Sequence, residues 1–195
     1  LPDSFTMSFR TPASQIATIA GLNGKGSVIS GNRLYVLDQA SQDNYLDVFD
    51  ITVPLKPVPL SRTHLFGLPR DLTVIPQFHY KRDIHETSVE VSDLVVVVGG
   101  DLDATIDQGA GTTVSVPGQY LWVIAAGDGT APQVIASPIV SFRVGSAVTK
   151  VRWSPPSLVY EENGSDIQLL GFVNLQELII GYGSTIAERA AFPDA

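Results

Sequence analysis

Gly31-Asn-Arg-Leu-Tyr-Val-Leu-Asp38 and Tyr45-Leu-Asp-Val-Phe-Asp-Ile51, joined by the polar stretch 39–44, decide the fold. Both runs are rich in β-branched and aromatic residues and are bounded by turn formers, which reads as two strands of a hairpin. Along 45–51 the spacing sends Leu46, Val48 and Phe49 toward a buried interface while Asp47 and Asp50 face out. Upstream, Gly26-Ser-Val-Ile-Ser-Gly31 supplies another strand. Downstream, Pro54, Pro57 and Pro59 mark an edge strand, because proline has no N–H to give to a central ladder. The stretch therefore reads as four strands.

The same order returns further along the chain. A second copy runs from Pro69-Arg-Asp-Leu-Thr-Val-Ile-Pro76 through Asp93-Leu-Val-Val-Val-Val-Gly99 and Gln119-Tyr-Leu-Trp-Val-Ile-Ala125 to Pro132-Gln-Val-Ile-Ala136. Its polar insertions, 79–90 and 101–117, read as enlarged loops. A third copy runs from Val148-Thr-Lys-Val-Arg-Trp-Ser-Pro155 through Ile167-Gln-Leu-Leu-Gly-Phe-Val173 to a strand at Glu177-Leu-Ile-Ile-Gly-Tyr182. The units span about 26–66, 69–142 and 147–183, and 1–25 belongs to a neighbouring unit. With 17 Gly and 13 Pro spread along the chain, helix is confined to Ser184–Ala191. About ten to twelve strands are expected.

The stretch "GNRLYVLD", followed by "YLDVFDIT" and a proline-rich exit, resembles the blades of bacterial extracellular propeller proteins of the LVIVD and YVTN kind, and "PRDLTVIP" is similar to their innermost strands. The resemblance implies an all-β fold, a partial β-propeller of four-stranded antiparallel blades. A closed propeller needs at least about four blades. The remaining blades then come from the rest of a parent chain or from another subunit, and without them the units fold as a β-sandwich instead.

Composition narrows the function classes. A net charge of −8 with only 12 Lys and Arg excludes a nucleic-acid binder, which needs clustered cations. With no cysteine, disulfides and thiolate metal sites are excluded. The apolar run Leu94 to Val98, like every other in the chain, is far short of the roughly 20 residues that span a bilayer. Leu1 in first place and a single methionine, Met7, suggest a piece cut from a longer, secreted or surface-exposed polypeptide.

No reactive constellation stands out. Asp101, Asp103 and Asp107 among glycines are the nearest approach to a Ca²⁺ loop, since that ion wants several carboxylate oxygens, but the spacing is not that of an EF-hand. No other cofactor is signalled. His79, His85 and Glu86 sit in a charged excursion with too few ligands for zinc. Asp38, Asp71 and Asp93 at strand ends are the acids that a channel pocket would use in a propeller hydrolase or lyase, the alternative to binding. Trp122, Trp153, Phe49 and Tyr35 belong between neighbouring sheets. Tyr45, Tyr80 and Tyr120, beside loops, are the candidates for contact with a partner. The expectation is a non-catalytic extracellular scaffold that presents loops 79–91 and 101–118 to a protein or a glycan.

Overall fold

The computed structural model describes residues 19, 21–39, 44–65, 67–107, 113–136, 139–141, 146–164 and 168–190; of these, 101–107, 113–117, 139–141, 168 and 183–190 are described at the level of the backbone. Twelve strands and one helix form among them. The first sheet is an antiparallel meander of β1 (Gly24–Ser30), β2 (Arg33–Gln39), β3 (Asn44–Asp50) and β4 (Val58–Leu65), side by side in chain order. In the second sheet, β5 (Leu68–Tyr80), β6 (Glu90–Asp107), β7 (Thr113–Ala125) and β8 (Gln133–Ala136) follow the same order, and the short β9 (Ile139–Ser141) also pairs with β7. The third has three strands, β10 (Ala147–Ser154), β11 (Ser157–Asn163) and β12 (Gln168–Asn174), and leads into α1 (Leu175–Ala190). All pairings are antiparallel, as tight turns between consecutive strands require. The molecule is thus an all-β domain of three antiparallel sheets with one short helix.

The second sheet is the centre of the packing. Alternate residues of a strand point to opposite faces, and β6 is apolar on both. Leu94, Val96 and Val98 join one core with Leu121, Val123, Val151 and Leu158 from the second and third sheets and with Leu175 and Ile179 from the helix. Val95 and Val97 join a second core with Tyr35, Leu37, Leu46 and Val48 of the first sheet and Trp122 of β7. An uninterrupted apolar run usually signals a strand covered on both faces. Here it marks an antiparallel strand between two other sheets, and each fully buried side chain contributes roughly 1.5–3 kcal/mol.

Side chains fasten the layers at their edges. Gln119, almost fully buried, accepts hydrogen bonds through Oε1 from the Val148 N–H at 3.0 Å and from Arg70 at 3.0 Å. Gly100 leaves the room that this amide fills, and at Gly99 any side chain would overlap the backbone of Leu68 and Pro69. These contacts explain the Gly99-Gly100 pair at the end of the valine run. On the other side, Asn44 donates to the Gly67 carbonyl at 2.6 Å, and Arg33 pairs with Asp93 at 3.3 Å, so the first sheet is held to the second.

Two segments differ from the sequence expectation. Residues 101–107 and 113–117 are strand rather than loop: β6 runs on to Asp107 and β7 begins at Thr113, in continuous register from Leu102↔Gly118 to Asp107↔Thr113. The alternation of Asp101, Asp103 and Asp107 with Leu102, Ala104 and Ile106 is the period of a strand. Glu177 to Tyr182 is helix rather than strand. Asn174 caps it, its Oδ1 accepting the N–H groups of Gln176 at 3.0 Å and Glu177 at 3.2 Å. Leu175, Leu178 and Ile179, on one helical stripe, are buried in the core.

Candidate functional site

The outer face of the first sheet, turned away from the second, collects the charged and aromatic groups. Strand parity decides which residues reach it. With Leu46 and Val48 in the core, Asp47 and Phe49 take the opposite face of β3. In register Asp47 lies beside Val36 of β2 and Arg62 of β4, and Tyr45 lies beside Asp38 and His64. Five side chains from three strands therefore meet without any loop positioning them.

Their electrostatics are unbalanced. Arg62 donates from Nη2 to Asp38 Oδ2 at 2.7 Å, and Asp38 Oδ1 also accepts the Asn23 N–H at 2.6 Å. Asp38 is thereby satisfied. Arg62 Nε stands 3.8 Å from Asp47 Oδ1, close enough for attraction but too far for a hydrogen bond. Asp47 is only 4% exposed, and its Oδ2 is buried without a hydrogen-bond partner among the described residues. Burial pushes the Asp47 carboxyl above the ordinary aspartate range; Arg62 draws it back down and the Asp38 carboxylate adds to the rise. The Arg62 guanidinium also sits 4.0 Å over the Tyr45 ring, against whose edge His64 packs with centroids 5.4 Å apart.

A concavity of about 620 Å³ opens beside this cluster. Ile19 and Leu22, ahead of β1, line it together with Phe49, Pro57 and Pro59, and Asp47 and Arg62 supply the polar groups of the outer face. The Ser61 hydroxyl, buried without a hydrogen-bond partner among the described residues, points instead to the inner face beside Val48. An apolar-lined groove with a few convergent polar groups is the usual form of a small binding site.

The residues singled out from the sequence are placed as follows. Tyr45 is half-buried in the outer-face cluster. Tyr80 is 2% exposed and gives its hydroxyl hydrogen to Glu90 Oε2 at 2.8 Å, while Tyr120 is 4% exposed and stacks on Trp122 at 5.7 Å. Tyr80 closes β5 beside loop 81–89 and Tyr120 lies within β7, and both rings pack in the cores. The side chains of Asp101, Asp103 and Asp107 lie outside the described residues, and among the described ones no group of three His, Asp or Glu could hold a metal ion.

The three acids weighed for catalysis are held in separate places. Asp38 pairs with Arg62, Asp71 accepts from the Val151 N–H at 3.0 Å and from Arg152 at 2.8 Å, and Asp93 accepts from the Gln77 N–H at 2.9 Å. In register Asp71 is opposite Val98, five residues along β6 from Asp93 and so about 16 Å away at the rise of a strand. Loop 81–89 is pinned rather than free: Arg82 bridges Glu90 at 2.8 Å and holds its carboxyl below the ordinary glutamate range.

Asp47 is the residue that sequence reading misses, since an aspartate in an alternating strand reads as solvated. The signal was present in its neighbours. Val36 and Phe49, on the same face, are apolar in a strand pair whose other face is already apolar, which marks both faces as covered. Comparison of the chain with protein-family models, with curated proteins and with solved structures finds no match in any of the three.

Proposed function

We propose that this chain is a non-catalytic binding scaffold of the propeller type, acting at the cell surface or outside the cell, and that its partner, a protein or a glycan, docks in the groove on the outer face of the first sheet. The propeller reading is supported by three antiparallel sheets layered in chain order with the middle one covered on both faces. In such a radial stack the groove opens between the first sheet and the unit that precedes it, near the rim formed by β4. Further sheets come from a parent chain or from another subunit. A binding role is favoured over hydrolysis because Asp38, Asp71 and Asp93 are engaged in three separate ion-pair or hydrogen-bond networks.

The observation that carries this reading is the unsatisfied Asp47 carboxyl in the floor of an apolar-walled groove, beside the Tyr45, Arg62 and His64 cluster. Aromatic and arginine side chains are the commonest anchors of recognition surfaces. The test is to probe glycan and peptide arrays with the wild-type chain and with the Tyr45→Ala and Arg62→Ala variants. The reading expects ligands on one array whose binding falls by about tenfold or more in both variants. Arrays that return no ligand, or ligands indifferent to both substitutions, overturn it.

A further inference from the structure

Two carboxylates, Asp38 and Asp47, share one guanidinium on the outer face of the first sheet, and the sharing is unequal. Asp38 holds Arg62 at 2.7 Å and takes a backbone N–H as well, while Asp47 is left with a 3.8 Å approach and an orphan Oδ2. Counted as charges, the cluster is one cation short. A buried carboxylate without a partner is costly, and a cation that donates hydrogen bonds is the group that relieves it most fully.

The walls say what that cation is attached to. Ile19, Leu22, Phe49, Pro57 and Pro59 line the groove above the carboxyl with hydrocarbon. Such walls favour an alkyl stem with an ammonium head over a hydrated inorganic ion, because methylenes are buried while the head reaches the polar floor. A planar guanidinium fits the floor less well, since Arg62 already occupies one side of the Asp47 carboxyl.

We infer that the groove takes a lysine side chain of a partner polypeptide, its ammonium hydrogen-bonded to Asp47 Oδ2 and its methylenes lying between Leu22, Phe49 and the prolines. This deepens the binding role proposed above and rests on it, and it selects a protein over a glycan as the partner.

The experiment titrates the isotope-labelled chain with Nα-acetyl-lysine N-methylamide, with its Nε-acetylated form and with the norleucine analogue, following backbone amides and the Asp47 carboxyl carbon by NMR. Saturable shifts at Asp47, Ser61 and Arg62 are expected with the lysine probe, with a dissociation constant of about a millimolar for so small a ligand. Removing the charge, in the probe or by Asp47→Asn, is expected to weaken binding by about tenfold or more. Equal binding of the acetylated probe, no saturable shift, or an Asp47 carboxyl that stays protonated at pH 7 with the lysine probe present overturns the inference. Should Asp47→Asn not fold, the three probes on the wild-type chain carry the test alone. Array ligands that need Tyr45 and Arg62 but contain no lysine sink the ammonium and leave the binding role standing. Lysine binding without any array ligand sinks the binding role instead.

Discussion

Asp47 sets a pH dependence whose sign follows from its surroundings. Its carboxyl is raised by burial, so the folded chain holds that proton more tightly than the unfolded chain does. Stability from this group is fully present below the unfolded value, about 3.9, and is lost as pH rises through the raised folded value. Replacing Asp47 by Asn removes the charge and keeps the shape. The variant is expected to be more stable than wild type at pH 7 by about 1–3 kcal/mol, the cost of an unsatisfied buried polar group. The gain is expected to vanish below about pH 4. Urea denaturation of both proteins at the two pH values checks this, and an Asp47→Asn variant less stable at pH 7 would show that the carboxylate contributes stability instead.

Among the elements, α1 shows what local sequence could and could not reveal. Glu177-Leu-Ile-Ile-Gly-Tyr182 is β-branched enough to read as a strand, but Asn174 three residues ahead of Glu177 is a helix start signal. Its cap gives a prediction: Asn174→Ala is expected to cost about 1 kcal/mol, measured by thermal or urea unfolding. Elsewhere the strands themselves were legible. The runs at 33–38, 45–51 and 93–99 and the prolines after Ile51 announced β2, β3, β6 and the edge strand β4. The extension of β6 and β7 was legible in principle from the alternation at 101–107, but three acids among glycines outweighed it. The site was not legible, because a cross-strand cluster depends on register. Asp38, Asp47 and Arg62 are far apart in sequence, and only the pairings β2·β3 and β3·β4 bring them onto one face.

For the molecule as a whole, one strand is shared by both cores. Val96 belongs to the core with the third sheet and the helix, Val97 to the core with the first sheet. Truncating either to Ala is expected to cost about 2–3 kcal/mol. Because β6 couples the two cores, urea unfolding of both variants is expected to remain one transition, whether followed by the fluorescence of Trp122 and Trp153 or by far-ultraviolet circular dichroism. Two separated transitions would show that the outer sheets melt independently. The layered packing is also the reason the proposed groove is assigned to the first sheet: the faces of the second sheet are occupied, and on the first sheet's outer face the Asp47 carboxyl is left without a hydrogen-bond partner among the described residues. The most direct test of that placement is the amide shift map of the labelled chain on titration with the tightest ligand from the two arrays. The account predicts that the largest shifts fall at Asp47, Phe49, Ser61 and Arg62. Largest shifts in loop 81–89 or on β12, with those four residues unmoved, would contradict it.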